Sequence, residues 1–270
     1  MADRQVMQWV RDAKEMLREQ VEYRYLLWQM TRRDLLLRYK QTVMGIGWAV
    51  FMPILNTAVF SVIFMRVAPL DVGMPYPLFA YSGLVAWNFT ASTLRFSVLS
   101  LTSNLNLVTK VYFPREAFPF SALLVSLVDT AVAGCVLLGL MAYYGVWPGP
   151  TALYLPLVAL PHVLLTAALG LLLSMGNLFY RDVKYLFEAG IAIGMFVTSV
   201  VYPAQLVGGR LGALLQLNPM TPIIEAYRDV LLRQTPPAPS FWLAASVSIV
   251  AFFGAWLLFH RSEYEFAENI

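Results

Sequence analysis

Charge is the scarcest thing in this sequence: 13% of its 270 residues are Asp, Glu, Lys or Arg, against roughly 25% in a soluble globular domain. At half the usual density, a chain of this length cannot clothe a water-facing surface. Cysteine is nearly absent too, and the single Cys135 can close no intrachain bridge, which excludes a disulfide-stapled scaffold. His162 and His260 stand far apart, so with one cysteine no metal site of usual spacing is expected. No Gly-x-x-x-x-Gly-Lys-Ser/Thr stretch occurs, and the chain itself is expected to cradle no nucleotide. Nucleophile elbows and His-paired triads are missing as well. Glu188, Glu225 and Asp229 are scattered over different sides, where an enzyme of lipid-linked sugars needs clustered acids. No catalytic residue is expected.

What the sequence does have is apolar. Hydrophobic residues make up 59% and aromatics 14%, and mean hydropathy is +0.63. That is the composition of an integral membrane protein. A spanning helix takes about 20 apolar residues, a length met at 43–65, 78–101, 117–145, 152–178 and 241–260. The run 189–203 is shorter, about 22 Å as a helix, and counting it gives six spans in an all-α fold. Residues 1–42 hold no apolar run of the signal-peptide kind, so the first span is expected to act as the insertion signal. The net charge of +3 reads as membrane orientation rather than affinity for nucleic acid. Fourteen Lys and Arg residues fall on the side holding both termini and four on the other, which places both termini in the cytoplasm.

Within that frame, 1–42 is a cytoplasmic interface segment, 43–260 the membrane domain and 261–270 a cytoplasmic tail. Val6, Trp9, Val10, Ala13, Met16, Leu17 and Val21 recur at helical spacing, with Arg4, Arg11, Lys14 and Arg18 on an offset stripe. Such a helix lies along the inner leaflet, packs on a partner protein, or does both. Aromatics crowd the first two spans, among them Trp48, Phe51, Tyr81, Trp87 and Phe89. Their flat faces suit a sugar path, and they equally suit a membrane core or interfacial belt. Arg95 and Asp129 are charges inside spans, expected to pair with each other or, less simply, to touch a substrate.

The interval 204–239 follows the short span's end at Tyr202 and Pro203. Asn218 and Pro219 stop a second apolar segment, 211–217. Thr221 and Pro222 then read as the N-cap and first residue of another helix. On that helix Ile223, Ile224, Tyr227, Val230 and Leu231 share one face, and Glu225, Arg228, Asp229 and Arg233 take the rest. Two short helices over 206–217 and 219–232, dipping in from the outer side, fit this pattern, as does a plain outer loop with one surface helix.

Four stretches carry a family likeness: Arg38-Tyr39-Lys40-Gln41-Thr42-Val43-Met44-Gly45 leading to Trp48 and Pro53; 106–116, with Phe113-Pro114-Arg115-Glu116; Arg181-Asp182-Val183; and Asn218-Pro219-Met220-Thr221-Pro222. In this order, over about 30–260, the chain resembles the type-2 ABC exporter permeases that move O-antigen, capsule or teichoic-acid polymers across the bacterial inner membrane. The resemblance implies a homodimer joined to two copies of a separate ATPase subunit, which would bind ATP and Mg. It also implies a glycan cargo on an undecaprenyl-type lipid. The connection 103–116 would be the coupling helix, with Asn106, Lys110, Tyr112, Phe113 and Arg115 meeting the ATPase; read alone, it is an ordinary positive-inside loop. A pyrophosphate-linked substrate arriving in the inner leaflet would meet Asp34, Arg38, Tyr39 and Lys40, whose basic members equally suit membrane anchoring. The interval 204–239 would be an outer gate, including Tyr202, Pro203, Asn218, Pro219, Thr221, Pro222, Glu225 and Arg228. A drug or lipid permease of the same superfamily, an ion-coupled carrier and a membrane-embedded enzyme are the competing readings.

Overall fold

The structure, a computed structural model, describes residues 18–40, 42–110, 113–203, 206–263 and 266. The helical stripe proposed for 6–17 lies outside the described residues. Among the described residues the regular elements are all helices: α1 (Arg24–Tyr39), α2 (Gly47–Val62), α3 (Tyr76–Ser100), α4 (Leu105–Lys110), α5 (Ala117–Tyr143), α6 (Leu155–Phe179), α7 (Val183–Val197), α8 (Gly209–Leu217), α9 (Met220–Arg228) and α10 (Pro239–Ser262). Wider π turns extend α2 through Val67 and α9 through Arg233. The protein is an all-α polytopic membrane protein. Among the described residues, four stretches are long and apolar enough to cross a bilayer: Gly47–Val67, Ala117–Tyr143, Pro150–Phe179 and Pro239–Ser262.

α3 is as long as α6 but is diluted by Ser82, Asn88, Thr90, Ser92, Thr93, Arg95 and Ser97. It can carry these because it is buried along most of its length, enclosed by α2, α5, α6, α7 and α9. Two apolar clusters lie at opposite ends of the long helices. One gathers Leu84, Leu137, Met141, Ile223, Ile224 and Phe241 around α9; the other gathers Met30, Phe113, Phe118, Leu171, Trp256 and Phe259 around α1 and α4. Lipid is as apolar as these side chains, so close packing and polar ties, more than expulsion from water, hold such helices together.

α7 departs from the sequence expectation. The 189–203 run predicted a helix ending at Pro203, whereas the helix is Val183–Val197. Lys184 and Glu188 hid its first turns from a hydropathy count, and Ser199, at φ +57°, turns the chain away after Thr198. Tyr202 and Pro203 therefore belong to the loop. α9 also begins early: Asn218 Oδ1 accepts the Met220 amide at 3.0 Å, so Asn218, not Thr221, satisfies the helix start. Thr221 is buried within α9.

Arg228 is the larger correction. The helical wheel put it among residues decorating an open face, but its side chain is 0% exposed. The break after α7 leaves the Ser199 and Val200 carbonyls pointing inward, and Arg228 donates to them at 3.3 and 2.5 Å. It also donates to Phe79 O at 3.3 Å, pairs with Glu225 at 2.7 Å and lies 3.6 Å from the Phe79 ring centroid. Gly83 makes the room, since a Cβ there would run into both the guanidinium and Val200 O.

Two substitutions test this junction. Arg228→Met keeps the bulk but strands the Ser199, Val200 and Phe79 carbonyls and leaves Glu225 to Arg233 alone, and should cost about 3 kcal/mol or more. Gly83→Ala should lower the thermal midpoint of detergent-solubilised protein in the same direction by displacing the guanidinium. Unchanged midpoints in both would refute the junction.

Candidate functional site

α2, α3 and α5 enclose a cleft of about 390 Å³ whose wall includes Trp48, Pro53, Asn56, Asn88, Phe89, Ser92, Arg95, Ser126, Asp129 and Thr130. Aromatic faces thus stand among amides, hydroxyls and two charges. Of the five aromatics considered for a sugar path, Trp48 and Phe89 are in this wall. Phe51 is edge-on to Trp48 at 5.7 Å and outside the lining. Tyr81 and Trp87 are buried packing groups. The Tyr81 hydroxyl donates to Ala133 O at 3.1 Å, and the Trp87 ring lies so close to Gly194 that a Cβ there would be 2.8 Å away.

A second cleft, about 400 Å³, lies beside the first helix and is lined by Asp34, Leu37, Arg38, Phe96, Ser103, Asn104 and Phe118. The boundary between the two clefts is an ion pair. Arg38 donates to Asp129 Oδ2, and the Tyr39 hydroxyl reaches Oδ1 of the same carboxylate at 2.5 Å. Asp34 accepts from Ser121 at 2.7 Å and pairs with Arg33 at 2.8 Å. Lys40, just past α1, is exposed.

These contacts overturn the expected Arg95–Asp129 pair. Arg95 instead meets Glu188 of α7 at 3.1 Å, half exposed, while α1 supplies the partner of Asp129. Depth along the spans is a sound criterion only if spans alone provide partners, and α1 reaches in from outside them.

The coupling residues divide as well. Asn106 and Leu107 are exposed on α4. Phe113 is 6% exposed and packs on Phe118 at 5.4 Å, so it is a core residue rather than an anchor for a partner. Tyr112 and the Lys110 side chain lie outside the described residues. Arg115 faces inward: its amide donates to Glu263 Oε1 at 2.9 Å, its Nε to Val108 O at 3.2 Å, and its guanidinium to Glu263 O. Beside it, Glu116 is fully buried, accepts from Trp256 Nε1 at 3.2 Å and stands 3.4 Å from His260 Nδ1. Glu116, His260 and Glu263 bring ligand atoms within 4.8 Å of one another, a cluster invisible to sequence spacing. Nor did spacing reveal a relay at mid-molecule, where His162 meets Thr90 at 2.8 Å and the Tyr227 hydroxyl at 3.2 Å, tying α3, α6 and α9.

The fold is thus a polytopic helical one with polar, aromatic-lined clefts among its helices. Comparison with known proteins gives the class: residues 25–232 match the ABC-2 type transporter family, and the chain belongs to that family. It is similar over nearly its full length to the O-antigen export system permease protein RfbA of Myxococcus xanthus, 28% identical over 258 residues, covering 94% of this chain and 99% of that one. An RfbA protein of Klebsiella pneumoniae is 26% identical over 244 residues, 90% of this chain and 94% of the other.

The Arg115 junction carries a pH prediction. Burial, with Glu116 close by, pushes the Glu263 carboxyl up to about 7, against the lowering influence of Arg115 and His260. A carboxyl raised on folding binds a proton that the unfolded chain releases. Its contribution is therefore present at low pH and lost as pH rises through about 7. The thermal midpoint should fall between about pH 5 and pH 8, and Glu263→Gln should flatten that fall. An equal slope in the variant would contradict the assignment.

Proposed function

We propose that this chain is the membrane-spanning subunit of an ATP-driven exporter that carries a lipid-linked polysaccharide, of the O-antigen kind, across the bacterial inner membrane. The observation that carries the reading is the cleft at α2, α3 and α5. Trp48 and Phe89 offer faces to sugar rings, and Asn56, Asn88, Ser92 and Thr130 offer edges to hydroxyls. A purely apolar drug or lipid would leave those amides without partners at membrane depth. The named relatives match over nearly their whole lengths, which supports the same cargo class.

In this reading the chain crosses six times with both termini in the cytoplasm. Two copies work with two copies of an ATPase subunit that binds ATP and Mg. The outer face of α2, where Phe51, Ile54, Leu55, Val59 and Val62 are exposed, has room for a second copy. α8 and α9 act as the outer gate, held shut at Arg228. α4 is the coupling element, and its exposed Leu107, not Phe113, is the apolar group facing the ATPase.

Leu107→Asp should abolish co-purification of the ATPase subunit and leave the thermal midpoint unchanged. Phe113→Ala should cost about 3 kcal/mol of stability, as loss of a buried Phe does, and so lower the midpoint. Full recovery of the ATPase with Leu107→Asp would remove α4 from the interface.

A further inference from the structure

Asp129 is a carboxylate set about 18 Å along α5, a helix apolar enough to cross the bilayer. An ionisable group at such a depth needs a partner, and its presence calls for a functional reason. Its partners come from α1. Arg38 takes Oδ2, the Tyr39 hydroxyl takes Oδ1, and the Arg38 guanidinium is backed by the Phe96 ring, 3.8 Å from its centroid. A planar cation steadied on an aromatic face, with a hydroxyl donor beside it, is a donor set that suits phosphate oxygens as well as carboxylate oxygens. Burial, with Asp129 adjacent, keeps the Tyr39 phenol protonated well above its usual range, so it stays a donor. The acceptor now in place is a side chain, and it stands on the boundary between the two clefts.

We infer that Arg38 and Tyr39 form a binding site for a lipid-borne diphosphate, and that Asp129 fills this site as a stand-in anion while the carrier is empty. The inference rests on the exporter reading for the identity of the lipid. Headgroup arrival is then an exchange of anions. Arg38 passes from carboxylate to phosphate without standing unpaired at membrane depth, which is the costly alternative. The released Asp129 faces the cleft at α2, α3 and α5, whose wall also holds Arg95, Ser126 and Thr130. Asp34, the other acid near Arg38, is already held by Arg33 and Ser121 and does not compete. The exchange unfastens α1 from α5 where the two clefts meet, so one event both captures the headgroup and joins the way in to the sugar-facing cleft.

The test is direct binding to the full-length protein in neutral-lipid nanodiscs, with a fluorescent isoprenyl diphosphate carrying no sugar. Wild type should bind it, and inorganic pyrophosphate or anionic phospholipid in excess should not displace it. Asp129→Asn, which frees the donors, should tighten binding by up to about 10-fold. Arg38→Gln should weaken it about 10-fold or more. The exchanged pair Arg38→Asp with Asp129→Arg should regain the thermal midpoint lost in either charge-reversed single variant, yet not regain binding. Weaker binding in Asp129→Asn, or wild-type binding in the exchanged pair, would make the ion pair a structural strut and overturn the inference. Displacement by inorganic pyrophosphate would overturn the lipid as ligand. Polymer export that persists without diphosphate binding would refute this site and spare the exporter reading; binding as described in a protein that exports no polymer would do the reverse.

Discussion

Backbone carbonyls that cannot reach water set the terms for the outer half of this protein. α7 is 15 residues long and stops at a left-handed Ser199, leaving carbonyls of the following turn in apolar surroundings. Irregular backbone survives at such a place only if protein donors satisfy it. Arg228 supplies them, and because it also reaches Phe79 O it fixes α9 against the first turn of α3. The position of α3 in turn decides which side chains face the cleft: Asn88, Phe89, Ser92 and Arg95 look into it from the same helix that Arg228 and the His162 relay hold in register.

Scarce charge makes each ion pair an assembly instruction. Arg38–Asp129, Arg95–Glu188 and Arg115–Glu263 each join segments far apart in sequence. Buried or half-buried pairs add little net stability once desolvation is counted, and what they give in return is a defined arrangement. They also give a means of change, because a pair can be exchanged for another partner of the same charge where a packed apolar contact has no such alternative. The pair between the two clefts and the pair between α3 and α7 each place one member, Asp129 and Arg95, in the wall of the cleft at α2, α3 and α5.

Much of the architecture was legible in the sequence because hydropathy is a local property. The runs at 117–145, 152–178 and 241–260 are helices to within a few residues at most ends. α7 slipped toward its charged end because Lys184 and Glu188 look like loop residues until Arg95 is seen pairing with one of them. The helix starts one residue before Thr221, with Pro219 at the cap position and Asn218 bonding the Met220 amide, a shift within the usual blur of a cap assignment. Arg228 was misread for a deeper reason. A helical wheel assigns one buried face, whereas α9 packs among α3, α6 and α10 and its Arg228 meets the turn after α7, which the sequence does not announce. The partner of Asp129 is not legible in the sequence because an interfacial segment over 1–42 predicts no contact with the spans, whereas Arg38 at the end of α1 reaches α5. Trp48 and Phe89 kept their place at the cleft, while Tyr81 and Trp87 went to the core, a division that needs coordinates.

The central claim is that this chain, joined to an ATPase, moves a lipid-linked polysaccharide. The most direct measurement places the chain and its co-expressed ATPase subunit in sealed proteoliposomes loaded with lipid-linked O-antigen polymer and follows access of an external glycan-cleaving enzyme to the polymer. The account predicts that ATP sealed in the lumen, on the side of the ATPase, makes initially protected polymer cleavable, and that vesicles lacking this chain show no such change. Polymer that stays protected with ATP and an active ATPase present would contradict it.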